Sequence, residues 1–172
     1  MKKVSLIVPC YNEEEALPIF AAELDRVRQG LGQYEFEVLM VNDGSSDDTL
    51  KVMKDVSSKY EYFKYLSFSR NFGKESAMYA GFCNASGDYV AVMDADMQDP
   101  PSLLPEMLEI LEQGEYDSVA TRRVTRKGEP KIRSWFARRF YKLINRISDA
   151  DVVDGARAVS YTHLRAHETR SN

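Results

Sequence analysis

A chain of 172 residues, 44% apolar and 29% charged, can bury one sizeable core, so one globular domain is the default expectation. No apolar run is long enough to span a membrane, and Met1-Lys2-Lys3 leads into a strand-like run instead of a secretory signal. The net charge of −4 hides an asymmetry. Up to Thr121 acids outnumber Lys and Arg about two to one, whereas Arg122–Arg146 holds about ten Lys or Arg and a single acid, Glu129. Cys10 and Cys83 read as reduced thiols of a cytosolic protein.

In chain order, Val4–Pro9 reads as a buried strand. Glu13 to about Gly30 reads as a helix with Ala16, Leu17, Phe20, Leu24 and Val27 on one face. Pro18 blurs where that helix begins, and Gly30 with Gly32 ends it. Phe36–Val41 is a second strand, closed by the loop Asn42-Asp43-Gly44-Ser45-Ser46. Ser46 or Asp47 caps a helix running to about Lys59. Phe63–Phe68 is a third strand, Ser76–Asn84 a short helix and Tyr89–Met93 a fourth strand. Pro101–Gln113 is a helix that begins on proline, and Ser118–Thr121 is a fifth strand. This alternation predicts an α/β fold: a mostly parallel sheet with helices on both faces.

Such sheets bind ligands outside the carboxyl ends of their strands, and three loops there carry clustered polar residues. After the first strand come Pro9-Cys10-Tyr11-Asn12-Glu13, where a ring beside an amide and a carboxylate suits a flat base and its ribose. After the second comes Asp43, able to accept from a base N–H or sugar hydroxyls. After the fourth come Asp94-Ala95-Asp96-Met97-Gln98, a hard-oxygen set suited to Mg²⁺ or Mn²⁺. Each loop alone is equally an ordinary turn: Asn12 as a cap, Asn-Asp-Gly-Ser as turn formers, Asp94 and Asp96 as solvated acids. Their shared edge is what favours a site. No G-x-G-x-x-G, phosphate loop or C-x-x-C occurs.

Arg122, Arg126, Lys127, Lys131 and Arg133 cluster after the fifth strand, and arginine suits phosphate because its planar fork donates bidentately. Beyond them Ile132, Trp135, Phe136, Phe140, Leu143, Ile144 and Ile147 form one helical stripe beside basic residues. That pattern fits an interfacial membrane helix, or a helix packed on the sheet or on a partner chain. Nucleic acid is a poorer partner, because the rest of the chain is acidic.

The strings V-S-L-I-V-P-C-Y-N-E-E, V-N-D-G-S-S-D-D-T, S-R-N-F-G-K-E-S-A and V-M-D-A-D-M-Q-D-P-P, in this order, resemble inverting family 2 glycosyltransferases of GT-A fold. Within them, the chain looks like the polyprenyl-phosphate sugar transferases, the dolichol-phosphate mannose synthases and bactoprenol glucosyltransferases. The resemblance covers about Lys3 to Arg157. It implies that Pro9, Tyr11, Asn12, Glu13, Asp43 and Asp94 contact a UDP- or GDP-sugar. Asp94, Asp96 and Gln98 would hold the divalent cation, with Asp94 and Asp96 as the catalytic pair. The acceptor would be a polyprenyl phosphate met by Arg122, Arg126 and Arg133 at the cytoplasmic face of a membrane. The rival readings are a family member with a saccharide hydroxyl acceptor, a sugar-phosphate nucleotidyltransferase, and an inactive nucleotide-sugar-binding fragment. The expected organisation is a donor-binding core over 1–121, a basic acceptor segment over 122–157, and a tail over 158–172. That tail, with His163 and His167, reads as a foreign or disordered end on a truncated chain. Donor base, sugar and oligomeric state stay open.

Overall fold

The computed structural model describes residues 1–122 and 156–157. Its centre is a four-stranded parallel sheet in the order β3-β2-β1-β4. The strands are β1 (Lys2–Cys10), β2 (Tyr34–Asn42), β3 (Phe63–Ser67) and β4 (Tyr89–Val92). The helices are α1 (Ala16–Gln29), α2 (Thr49–Lys59), α3 (Lys74–Asn84) and α4 (Leu104–Glu112).

The two inner strands, β1 and β2, are near-continuous apolar runs because both faces of the sheet are covered. On one face Val4, Leu6 and Val8 of β1 meet Phe20 and Leu24 of α1, Met53 of α2 and Leu104 and Leu108 of α4. On the other, Ile7, Val90 and Val92 meet Met78 and Phe82 of α3. The second contact is tight: a Cβ added at Gly81 would sit 2.3 Å from Ile7 Cγ2. Burying each such large side chain stabilises the fold by about 1.5–3 kcal/mol.

Several expected boundaries move by one to three residues, each for a local reason. Pro18 is the third residue of α1, where no intrahelical N–H bond is lost. The N-cap of α2 is Asp48, not Ser46 or Asp47; Asp47, one residue earlier, still serves the helix start, because its Oδ1 accepts from Thr49 N–H at 3.1 Å. The helix expected over Pro101–Gln113 opens as one 3₁₀ turn, Pro101–Leu103, closed by Leu104 N–H on the Pro101 carbonyl. Pro105 has no N–H with which to extend an α-ladder back to Pro101.

The fifth strand is a correction. It spans Thr121–Arg122, not Ser118–Thr121, and does not join the parallel sheet; β5 pairs antiparallel with β6 (Ala156–Arg157). Ser118 and Ala120 are exposed, so this stretch has too little apolar surface to extend a buried sheet. Both short strands lie in a separate compact unit, Ala120–Ala158. The basic amphipathic helix expected within it, and the tail expected over 158–172, fall outside the described residues. Among the described residues no helix is long and apolar enough to cross a membrane.

Candidate active site

The chain runs outward from β1 to β2 to β3, then returns through α3 on the opposite face to place β4 on the other side of β1. That reversal is a switch point, where an open sheet leaves a crevice beyond its strand ends. Pro9 pairs with Val41 and Cys10 with Asn42. Met93 N–H donates to the Ile7 carbonyl at 2.9 Å. The loops after β1, β2 and β4 therefore meet at one edge. A cavity of about 310 Å³ opens there, lined by Pro9, Tyr11, Glu13, Asp43, Asp94 and Asp96, and also by Cys10, Asn71, Gly73 and Lys74.

Six of the residues singled out in the sequence thus converge. Tyr11 lines the cavity and is 49% exposed. Asp43 is buried, and its carboxylate accepts from Phe72 N–H at 2.7 Å and Gly73 N–H at 3.0 Å. One task of Asp43 is therefore to hold the loop after β3 against the cavity. Gly44 (φ 66°) presses on the same loop; a Cβ there would lie 2.2 Å from the Arg70 carbonyl carbon.

Asn12 and Gln98 do not line the cavity. Asn12 takes a left-handed conformation (φ 56°), which asparagine tolerates. Its Oδ1 accepts from Ser46 N–H at 2.9 Å, and its own N–H donates to Ser45 Oγ at 3.0 Å. These bonds and Glu13 N–H on Thr49 Oγ1 at 2.8 Å stitch the first loop to the second. Gln98 N–H donates to Asp96 Oδ1 at 3.0 Å, fixing that carboxylate. Arg122 belongs to β5, while Arg126 and Arg133 lie outside the described residues.

Among the described residues, four acids face one ammonium in this cavity. Burial, then Asp96 and Asp94, push the Glu13 carboxyl above its ordinary value, and Lys74 pulls it partly back. Burial likewise pushes the Cys10 thiol up, which makes it an inert wall residue. Lys74 Nζ lies 2.6 Å from Asp94 Oδ1. Among the described residues no three His, Cys, Asp or Glu are placed to hold a metal by themselves. The mutual repulsion of Glu13, Asp94 and Asp96 nevertheless favours a cation that brings further ligands from water or substrate.

No role for Asn71, Gly73 or Lys74 is legible in the sequence. They follow the edge strand β3, and the Asp43 and Gly44 contacts help bring them back to the crevice.

The sheet order and the acid-lined crevice define a GT-A fold, and solved structures agree. Glucosyl-3-phosphoglycerate synthase from Mycobacterium tuberculosis superposes with a TM-score of 0.67 at 19% identity, over 95% of this chain and 57% of that one. The mannosyltransferase PcManGT from Pyrobaculum calidifontis, solved with GDP-Man and Mn²⁺, gives 0.60 at 20% identity, over 83% and 38%. The sequence matches Glycosyl transferase family 2 over residues 5–169, and the chain belongs to that family. It is similar to the putative glycosyltransferase CsbB of Bacillus subtilis (strain 168), at 42% identity over 152 residues, 88% of this chain and 45% of that protein. It is equally similar to the bactoprenol glucosyl transferase of Shigella phage SfV, at 42% identity over 146 residues, 85% of this chain and 47% of the relative. The chain therefore spans a little under half the length of these relatives.

Proposed function

We propose that this chain supplies the donor site of an inverting glycosyltransferase that moves one sugar from a UDP- or GDP-sugar to a polyprenyl phosphate. The observation that carries the reading is the convergence of Tyr11, Glu13, Asp43, Asp94 and Asp96 on one cavity at the switch point. The 42% identity to a bactoprenol glucosyl transferase supports the lipid phosphate as acceptor. The acceptor's recognition falls to Arg122, Arg126 and Arg133, and the stripe from Ile132 to Ile147 would rest on the cytoplasmic membrane surface.

Tyr11 stacks on the base, and Pro9 with Glu13 shapes the wall beside the ribose. Asp43 orders the loop that closes the far side. Asp94 and Asp96, with Gln98 beside them, would hold Mg²⁺ or Mn²⁺; two carboxylates with open positions fit such an ion sharing its shell with a diphosphate. When bound, that ion offsets negative charge on the departing nucleoside diphosphate. An acceptor phosphate oxygen attacks the anomeric carbon as the bond from that carbon to the diphosphate oxygen breaks. The electron pair leaves with the nucleotide, and the configuration inverts. An anionic phosphate needs no strong base to attack.

One observation favours a second reading. Glu13, with its raised carboxyl, lines the cavity and is the kind of group a hydroxyl acceptor would need as base.

The test incubates labelled UDP-glucose or GDP-mannose and Mn²⁺ with undecaprenyl phosphate, a saccharide acceptor, or neither. Label extracted with the lipid, and lost in Asp96→Ala, is the expected result. Label on the saccharide alone would select the second reading. Pyrophosphate released from NTP and sugar phosphate would select a nucleotidyltransferase.

A further inference from the structure

Among the described residues Lys74 is the only cation lining the cavity, and neither metal binding nor base stacking uses it. Its Nζ sits 2.6 Å from Asp94 Oδ1, yet its side chain stays 52% exposed. Its attachment is rigid. Asp43 holds Phe72 N–H and Gly73 N–H, and Gly44 packs on the backbone of Arg70 and Asn71. The structure thus delivers an ammonium on a fixed base and a free stem into a cavity whose lining includes the carboxylates of Glu13, Asp43, Asp94 and Asp96.

An ammonium and a divalent cation cannot share one carboxylate oxygen without strong like-charge repulsion, so they compete for Asp94. A lysine stem is flexible and its head well hydrated, so leaving Asp94 for another anion a few ångströms away costs little. We propose that Lys74 is the built-in counter-cation of this site. In the free protein it neutralises Asp94. When a divalent cation and donor enter, it releases Asp94 and engages the donor's diphosphate. This role rests on the donor-site reading above.

The consequence is a pair of effects of opposite sign. Lys74→Met removes the charge but keeps the stem. Without the competitor, Mn²⁺ alone binds tighter; without the diphosphate contact, nucleotide binds more weakly. A lysine that only shapes the loop moves both constants the same way, and a solvated surface pair moves neither.

The test uses the full chain as wild type, Lys74→Met and Lys74→Arg, with thermal melting to verify folding. Free Mn²⁺ is followed by electron paramagnetic resonance, and UDP and GDP are titrated calorimetrically in saturating Mn²⁺. Expected for Lys74→Met is a Mn²⁺ dissociation constant lower by roughly threefold and a nucleotide constant higher by roughly tenfold, with Lys74→Arg close to wild type for both. Any result other than opposite movement of the two constants overturns the role of Lys74. Wild type that binds neither nucleotide would overturn the donor-site reading and this role with it. Wild type that binds, with Lys74→Met unchanged, would remove the lysine's role alone.

Discussion

Glu37 lies at the end of the sheet away from the cavity, and its replacement by Gln gives a quantitative test of how the sheet is held. The side chain is only 4% exposed. It accepts from Ser5 Oγ at 2.8 Å, Ser86 N–H at 3.1 Å, Ser86 Oγ at 3.0 Å and Lys64 Nζ at 2.8 Å. Ser5 in turn takes Gly87 N–H at 2.9 Å, so one carboxylate ties β1, β2, β3 and the turn before β4. Burial pushes this carboxyl up, but the donors from Lys64, Ser5 and Ser86 outweigh it and hold it at about 2, against an ordinary value of 4.5. That gap corresponds to roughly 3 kcal/mol. Lys64 is solvent-facing, which screens its share, so Glu37→Gln is expected to lose about 2–3 kcal/mol at pH 7.

The sign follows from a folded value below the unfolded one. The stabilisation is complete above about pH 4.5 and disappears as pH falls through that value towards 2. Urea unfolding of wild type and Glu37→Gln should therefore show a difference that shrinks to roughly half or less by pH 3. Equal stability at pH 7, or a deficit that stays constant down to pH 3, would mean that the ionised Glu37 carboxylate does not hold the sheet.

Asp43→Asn keeps one acceptor but turns an NH₂ towards an amide donor; it should lose about 2–3 kcal/mol in urea unfolding and weaken nucleotide binding. Gly81→Ala forces a methyl onto Ile7 and should lower stability by about 1–3 kcal/mol, read as a drop in thermal midpoint. In a thiol-reagent time course on native protein, exposed Cys83 reacts quickly and buried Cys10 only on unfolding; two fast thiols would contradict the packing of β1.

The sheet and its crevice are largely legible in the sequence. Apolar runs such as Val4–Pro9 and Phe36–Val41 announce buried parallel strands. The polar residues just past them, Tyr11, Glu13, Asp43, Asp94 and Asp96, fall on one edge because every strand of such a sheet ends on the same side. What lies beyond one loop's own neighbourhood is not legible. Lys74 is 20 residues from Asp94 in sequence and follows the edge strand; the buried Asp43 carboxylate, the close approach at Gly44 and the packing of α3 on Ile7 bring it back. Asn12 shows the converse: its residue type suits a ligand, but its side chain holds the second loop through Ser46. Thr121–Arg122 departs from the expected strand because pairing with Ala156–Arg157 is a long-range choice that no local pattern encodes.

The proposed role of the acid pair at the β4 end is to hold a cation against a bound nucleoside diphosphate. Calorimetric titration of the full chain with UDP and with GDP, with and without Mn²⁺, beside Asp96→Asn, tests that role. Asn at 96 keeps an acceptor for Gln98 N–H, so the loop stays in place while the charge is lost. The predicted result is nucleotide binding that tightens by roughly tenfold or more with Mn²⁺ in wild type and loses that dependence in Asp96→Asn. Binding of equal strength with and without Mn²⁺, or an Asp96→Asn variant that responds to Mn²⁺ as wild type does, would contradict it.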